Sequence, residues 1–224
     1  MRRIIVLNTK GGCGKTTIAT NLASLYANQG LNTVLLDHDP LGCSKGWLDA
    51  RPAECRPIHG IAAYAKTKST MTRSWQMRIP AEAERVIIDT PAGLDKPDLL
   101  ERLRGVDFAL VPIVPSAIDM RAAVPFLTEL QSLNRSCRAK IGLVANRVQD
   151  SSRNLQILER FAELSSLPVV MHVRANLLYM QAADQGLGAH ELDDPAAEAE
   201  REAWQCLFDW LEKESTPASR FASA

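Results

Sequence analysis

A doubly wound α/β fold, with a mostly parallel sheet covered by helices on both faces, is predicted by two features of the sequence. Short aliphatic or β-branched runs recur at residues 4–7, 33–36, 86–88, 108–114, 141–145 and 169–173. Each is apolar almost throughout, the pattern of a strand buried on both faces rather than one with a solvated side. Most of the gaps between them hold helical patterns with recognisable ends. The segment 16–29 stops at Gly30, and 96–104 stops at Gly105. Asp119 is the expected cap of a helix running to about Asn134, and 153–164 precedes Pro168. Residues 196–214 form a final amphipathic pattern with Trp204, Leu207, Phe208 and Leu211 on one face. Strand alternating with helix argues for parallel strands, whose C-terminal ends share one rim. Residues 43–81 are the least regular stretch, and a helical excursion and a mobile loop both remain open there. No internal repeat is visible.

The 224 residues fit one domain, expected over 1–214, with 215–224 as a flexible tail. The formal net charge is zero, which argues against a protein that coats nucleic acid through its overall charge, and only 5% aromatic residues argue against base-stacking platforms. Charge is unevenly spread: residues 134–174 are mainly basic and 184–214 mainly acidic. Ordinary solvated helix faces and a basic surface offset by an acidic last helix both account for this. Cys13, Cys43, Cys55, Cys137 and Cys206 make no C-x-x-C pair and are odd in number, which suits reduced thiols in a cytoplasm. A strand starting right after Met1-Arg2-Arg3 leaves no room for a signal peptide, and no apolar run approaches bilayer length.

The first strand leads directly into Lys10-Gly11-Gly12-Cys13-Gly14-Lys15-Thr16-Thr17. Small residues let backbone wrap an anion, and the N–H groups of the following helix point at it with the positive end of the dipole behind them. Lys15 is placed to reach β- and γ-phosphates and Thr16 to ligate Mg²⁺. The common pattern has glycine where this chain has Thr9, and here a second lysine, Lys10, opens the loop. Two further strand ends carry carboxylates. Val34-Leu35-Leu36-Asp37-His38-Asp39-Pro40 ends in D-x-D-P, and alternation along a strand lets Asp37 and Asp39 face the same rim. Arg85-Val86-Ile87-Ile88-Asp89 presents Asp89 after an apolar strand, placed to hold Mg²⁺ directly or through water. A third strand end reads Asn146-Arg147-Val148-Gln149. A guanine reader of the N-K-x-D type needs an acidic residue at 149, so adenine is the expected base.

The box K-G-G-x-G-K-T-T resembles the deviant Walker A motif of the ParA/MinD ATPases. The likeness extends to D-x-D-P, to Val111-Pro112-Ile113-Val114-Pro115-Ser116-Ala117-Ile118-Asp119, and to residues 174–186, covering most of 3–214. It implies that Lys10 crosses an ATP-sandwich homodimer to the partner's phosphates. It also implies that Asp39 positions the attacking water with Asp37 supporting the metal, and that Asn146, with Arg147 beside it, contacts adenine. With ATP and Mg²⁺ as cofactors, the implied activity is ATP hydrolysis triggered by a partner protein. The ATP dimer then binds nonspecific double-stranded DNA, so that a plasmid, chromosome region or protein assembly is segregated or positioned over the nucleoid. The family commonly has glutamine after D-x-D-P; here Leu41 stands there. Arg147, Arg153 and Arg160 are the candidate DNA contacts, since they lie in the basic stretch and 153 and 160 are two helical turns apart.

Three other readings compete. A MinD-like membrane ATPase needs a basic amphipathic tail, and the last helix is acidic. An iron-protein-like ATPase needs cysteines shared between subunits, and Cys13 lies inside the phosphate loop while Cys206 falls on a core-facing helix. A metabolic ligase on the same scaffold would carry a substrate-pocket motif, and none is visible. No membrane partner is expected.

Overall fold

The computed structural model of the protein describes residues 1–64, 78–149 and 152–213, excluding the side chains of 152–154. The tail at 215–224 therefore lies outside the described residues. Seven strands form one sheet: β1 (Arg2–Val6), β2 (Thr33–Asp37), β3 (His59–Ala62), β4 (Arg85–Asp89), β5 (Phe108–Ile113), β6 (Lys140–Val148) and β7 (Val169–Arg174). Their order is β3-β2-β4-β1-β5-β6-β7, and every pairing is parallel. The helices are α1 (Lys15–Asn28), α2 (Cys43–Ala50), α3 (Lys96–Leu103), α4 (Ala117–Cys137), α5 (Ser152–Ser165), α6 (Leu178–Asp184) and α7 (Glu198–Lys213).

The strand alternation sorts the core into two layers. Ile5, Leu7, Val34 and Leu36 face Leu99 and Leu103 of α3, Met120, Phe126 and Leu130 of α4, and Leu158 of α5. Ile4, Val6 and Leu35 face Ile18, Leu22 and Tyr26 of α1, Trp47 of α2, and Trp204, Leu207 and Leu211 of α7. Burial on both faces is why the strands read as unbroken apolar runs. Among the described residues, no helix is long and apolar enough to cross a membrane.

Four features refine or correct the sequence reading. The irregular stretch contains a helix, α2, and an edge strand, β3, whose four residues are too few to show a period. A Cβ at Gly60 in β3 would lie 2.6 Å from Leu48 Cδ1 of α2, so a side chain there would displace that leucine. The cap of α4 is Ser116 rather than Asp119: its Oγ accepts the Asp119 N–H at 3.1 Å. Asp119 sits at the third helical position, where a carboxylate reaches back to the cap, here to the Ser116 hydroxyl. Residues 174–186 include a short helix, α6. Cys206 lies on the solvent side of α7, although that helix faces the core.

Candidate nucleotide site

The loop after β1 is held open by bonds from three directions. Asn8 Nδ2 donates to Pro112 O at 2.8 Å, and Asn8 Oδ1 accepts the Lys10 N–H at 3.0 Å. Gly93 N–H donates to Thr9 O at 2.9 Å. Asn146 Nδ2 donates to Cys13 O at 2.7 Å. Gly12 and Gly14 have φ of +72° and +101°, where a side chain is strained. Gly14 is required twice over, because a Cβ there would sit 2.0 Å from Asn146 Nδ2. Thr9 is not among the residues with positive φ, so the departure from glycine at that position carries no left-handed backbone strain. Cys13 is buried, and burial pushes its thiol up.

The two lysines of the loop do different things. Lys15, the first residue of α1, is buried and folds back so that Nζ donates to Lys10 O at 3.1 Å. Lys10 turns outward, 41% of its side chain exposed, and pairs with Asp119 of α4. Burial would raise the Asp119 carboxyl, but the Lys10 and Ser116 donors prevail and hold it below the usual carboxylate range.

The strand register puts Asp37 opposite Asp89, and Asp89 opposite Val6 at the mouth of the loop. Asp89 is fully buried. Its Oδ2 accepts Thr16 Oγ1–H at 2.8 Å and Ser44 Oγ–H at 2.6 Å, whereas Oδ1 is buried with no hydrogen-bond partner. Burial raises its pKa to about 6, only partly offset by the two hydroxyl donors. Asp37 is buried too. Its Oδ1 accepts the Asp39 N–H at 2.9 Å and its Oδ2 the Lys45 N–H at 3.1 Å, and burial outweighs these donors to raise its pKa. Two buried carboxylates beside a hydroxyl, one oxygen unpartnered, form a hard, oxygen-only donor set that suits Mg²⁺. Asp39 lies past the end of β2, half-buried, its Oδ1 accepting the Leu41 N–H at 3.0 Å.

Thus Lys10 through Thr17, Asp37, Asp39, Asp89 and Asn146 converge on one rim. Asn146 Nδ2 is committed to the loop carbonyl, and its Oδ1 accepts the Arg147 N–H at 2.9 Å. Arg147 is exposed, at φ +54°, close enough for its charge to lower the Asp119 pKa. Arg160 is exposed on α5; the Arg153 side chain lies outside the described residues. Sequence reasoning missed Asn8, Ser44 and the Lys10–Asp119 pair. Ser44 follows D-x-D-P in a stretch without period, and no spacing signal links Lys10 to a residue so distant in the chain.

The family model of the CobQ/CobB/MinD/ParA nucleotide binding domain matches residues 4–187. The chain is 27% identical over 208 residues to the maintenance of carboxysome distribution protein A of Halothiobacillus neapolitanus, covering 91% of this chain and 94% of that protein. Among solved structures, the ATP complex of Cyanothece McdA superposes with a TM-score of 0.71 at 17% identity, covering all of this chain and 99% of that one. The Mg-ADP complex of the septum site-determining protein MinD from Pyrococcus horikoshii gives 0.68 at 17%, covering 98% and 99%. The loop, the carboxylate pair behind it and the matched span agree: the chain belongs to the CobQ/CobB/MinD/ParA nucleotide-binding family.

Proposed function

We propose that this protein is a Mg²⁺-dependent ATPase of the ParA type that positions a cargo. ATP joins two copies, the dimer binds double-stranded DNA without sequence preference, and a partner protein triggers hydrolysis and release. The observation that carries this reading is the division of labour between the two lysines: Lys15 serves its own loop, and Lys10 is turned away from it. A lysine facing outward from a phosphate loop suits contact with a second copy's phosphates.

In this reading Gly11, Gly12, Cys13, Gly14 and Thr17 present backbone N–H groups to the phosphates, and Lys15 neutralises them. Thr16 and Asp89 hold Mg²⁺, with Asp37 beside them, which supplies charge neutralisation at the phosphate oxygens. Asp39 orients the attacking water, and Lys10 of the partner subunit adds charge where it develops. Asn146 and Arg147 lie on the adenine side. Relatives that bind ATP and Mg-ADP support the cofactors, and a relative named for carboxysome distribution favours a protein assembly as cargo. The protein would then act in the cytoplasm, over the nucleoid.

The test is light scattering coupled to gel filtration without nucleotide, with ADP and with ATP, on wild type and Asp39→Ala. A dimer restricted to ATP, and accumulated by Asp39→Ala, is expected. A monomer under every condition would overturn the reading.

A further inference from the structure

The last helix reaches the rim at the end of β7 through a buried carboxylate that the nucleotide reading does not use. Glu200 of α7 is fully shielded from solvent. Its Oε2 accepts Tyr179 Oη–H at 2.6 Å, and that hydroxyl oxygen accepts Trp204 Nε1–H at 3.1 Å. Its Oε1 lies 3.4 Å from both Arg174 Nε and Asn176 Nδ2. Asn176 Oδ1 accepts the Leu178 N–H at 3.1 Å, so that amide is held at both ends. One carboxylate thereby ties together the end of β7, the turn after it, α6 and α7.

A cavity of about 450 Å³ opens against this cluster, lined by Val148, Gln149, Arg174, Asn176, Ala196 and Ala199, among others. Its wall continues into the phosphate loop: Ala175 N–H donates to Val148 O at 2.9 Å, and two residues before Val148 stands Asn146, which braces Cys13. A buried carboxylate is a costly way to fasten a helix, since apolar packing of similar volume is commonly as stable or more so. What the charge adds is orientation. Arg174 lines the cavity, is held through Nε alone and is half exposed, so its guanidinium is open to a ligand there.

We infer that Glu200 is a positioning residue for nucleotide binding, holding Arg174 and Asn176 as the wall against which the nucleobase packs. Arg174 supplies the platform, since a guanidinium stacks on an aromatic face where an ammonium does not. This rests on the chain being a nucleotide binder. It concerns the base and not the phosphates, so inorganic tripolyphosphate separates the two.

Calorimetric titrations of wild type, Glu200→Gln and Arg174→Met with a non-hydrolysable ATP analogue and with tripolyphosphate, both with Mg²⁺, test it. Both variants should bind the ATP analogue about tenfold more weakly and tripolyphosphate as wild type does. KM for ATP should rise in both, and turnover at saturating ATP should fall by a smaller factor than kcat/KM. Arg174 is half exposed, so Arg174→Met decides the matter even if Glu200→Gln fails to fold. Unchanged affinity for the ATP analogue in Arg174→Met overturns the inference, and so does an equal loss for both ligands, which marks general loosening. A wild type that binds tripolyphosphate no more weakly than the ATP analogue also overturns it, because the cavity then contributes nothing. A wild type that binds neither overturns the nucleotide reading itself.

Discussion

Lys10 and Asp119, 109 residues apart in sequence, pair across the mouth of the phosphate loop, while the Lys10 carbonyl is capped by Lys15. The same lysine cannot hold Asp119 and reach a second copy's phosphates at once. In the proposed dimer the ion pair would therefore oppose association. It is partly solvated, and pairs of that kind contribute about 0–1 kcal/mol. Asp119→Asn should thus lower the ATP concentration needed for the dimer by a modest factor, up to about fivefold. Lys10→Ala should bind nucleotide but neither dimerise nor hydrolyse it, and Lys15→Ala should lose nucleotide. Light scattering across an ATP titration measures the dimer, and nucleotide titration beside steady-state turnover separates the two lysine variants. Wild-type dimerisation and hydrolysis by Lys10→Ala would remove the cross-subunit role.

Asp39 and Asp89 should fail in different ways. Asp39 is half-buried and makes only a local turn bond, so Asp39→Ala leaves the phosphate loop intact and removes the group assigned to orient water. It should bind ATP normally, turn it over slowly and accumulate as dimer. Asp89 anchors Thr16 and Ser44 at the buried donor set, so Asp89→Ala should weaken Mg²⁺-dependent binding instead. Nucleotide titrations with and without Mg²⁺, beside steady-state turnover, distinguish them. Wild-type turnover by Asp39→Ala would strike it from the catalytic list.

The sheet was legible because burial on both faces leaves continuous apolar runs, and six of its seven strands stand out that way. The carboxylates were legible because each follows such a run. β3 was not, because His59, Gly60, Ile61 and Ala62 carry neither length nor period. α2 was hidden by its surroundings, since it is entered through Gly42 and only Ser44 and Trp47 are buried in it. Nor was the bracing role of Asn146 visible, because a side-chain bond to Cys13 O depends on how closely β6 passes the loop, and sequence spacing carries no such distance.

That close passage makes Gly14 a sensitive position. A methyl group there meets both a left-handed backbone at φ +101° and the Asn146 amide at 2.0 Å. Gly14→Ala should displace Asn146, unseat the Cys13 carbonyl and lower nucleotide affinity by at least about tenfold, with a stability loss of about 1–3 kcal/mol. Gly30, also at positive φ but with open space around it, is the control: Gly30→Ala should cost some stability and leave affinity unchanged. Chemical denaturation and nucleotide titration of both variants check this, and equal affinities would show that the brace does not matter.

His190 sets an acid limit on stability. It is half-buried against Ser24 and Trp204, with Nδ1 shielded from solvent and unpartnered. Burial depresses its pKa well below 6.5, Glu191 opposes this, and Arg51 and Arg201 add to it. The folded protein thus binds this proton less readily than the unfolded chain. The resulting stability is present above pH 6.5 and is lost as the pH falls from there toward the folded pKa, by about 1.4 kcal/mol for each pH unit between the two. Asp89 acts in the opposite direction, because its folded pKa is raised, so wild type alone would not isolate the effect. His190→Gln, less stable at neutral pH, should lose less than wild type between pH 7.5 and 4.5 in urea unfolding. Parallel pH profiles would exclude His190 as the cause.

The proposed DNA contact rests on two patches brought together. A neutral chain with one modest basic stretch would make few phosphate contacts, and joining two copies would double the counterions released on binding. Arg160 is the cleaner probe, since it is exposed on α5, whereas Arg147 sits at the nucleotide rim and its reversal would disturb both functions. In the trapped Asp39→Ala dimer, Arg160→Glu should weaken binding equally on two unrelated duplexes and reduce the salt slope by about two, one contact from each copy, while ATP affinity stays unchanged. Filter binding over a salt series measures it. Binding without nucleotide would detach the DNA surface from dimerisation, and an unaltered slope would move the contact off α5.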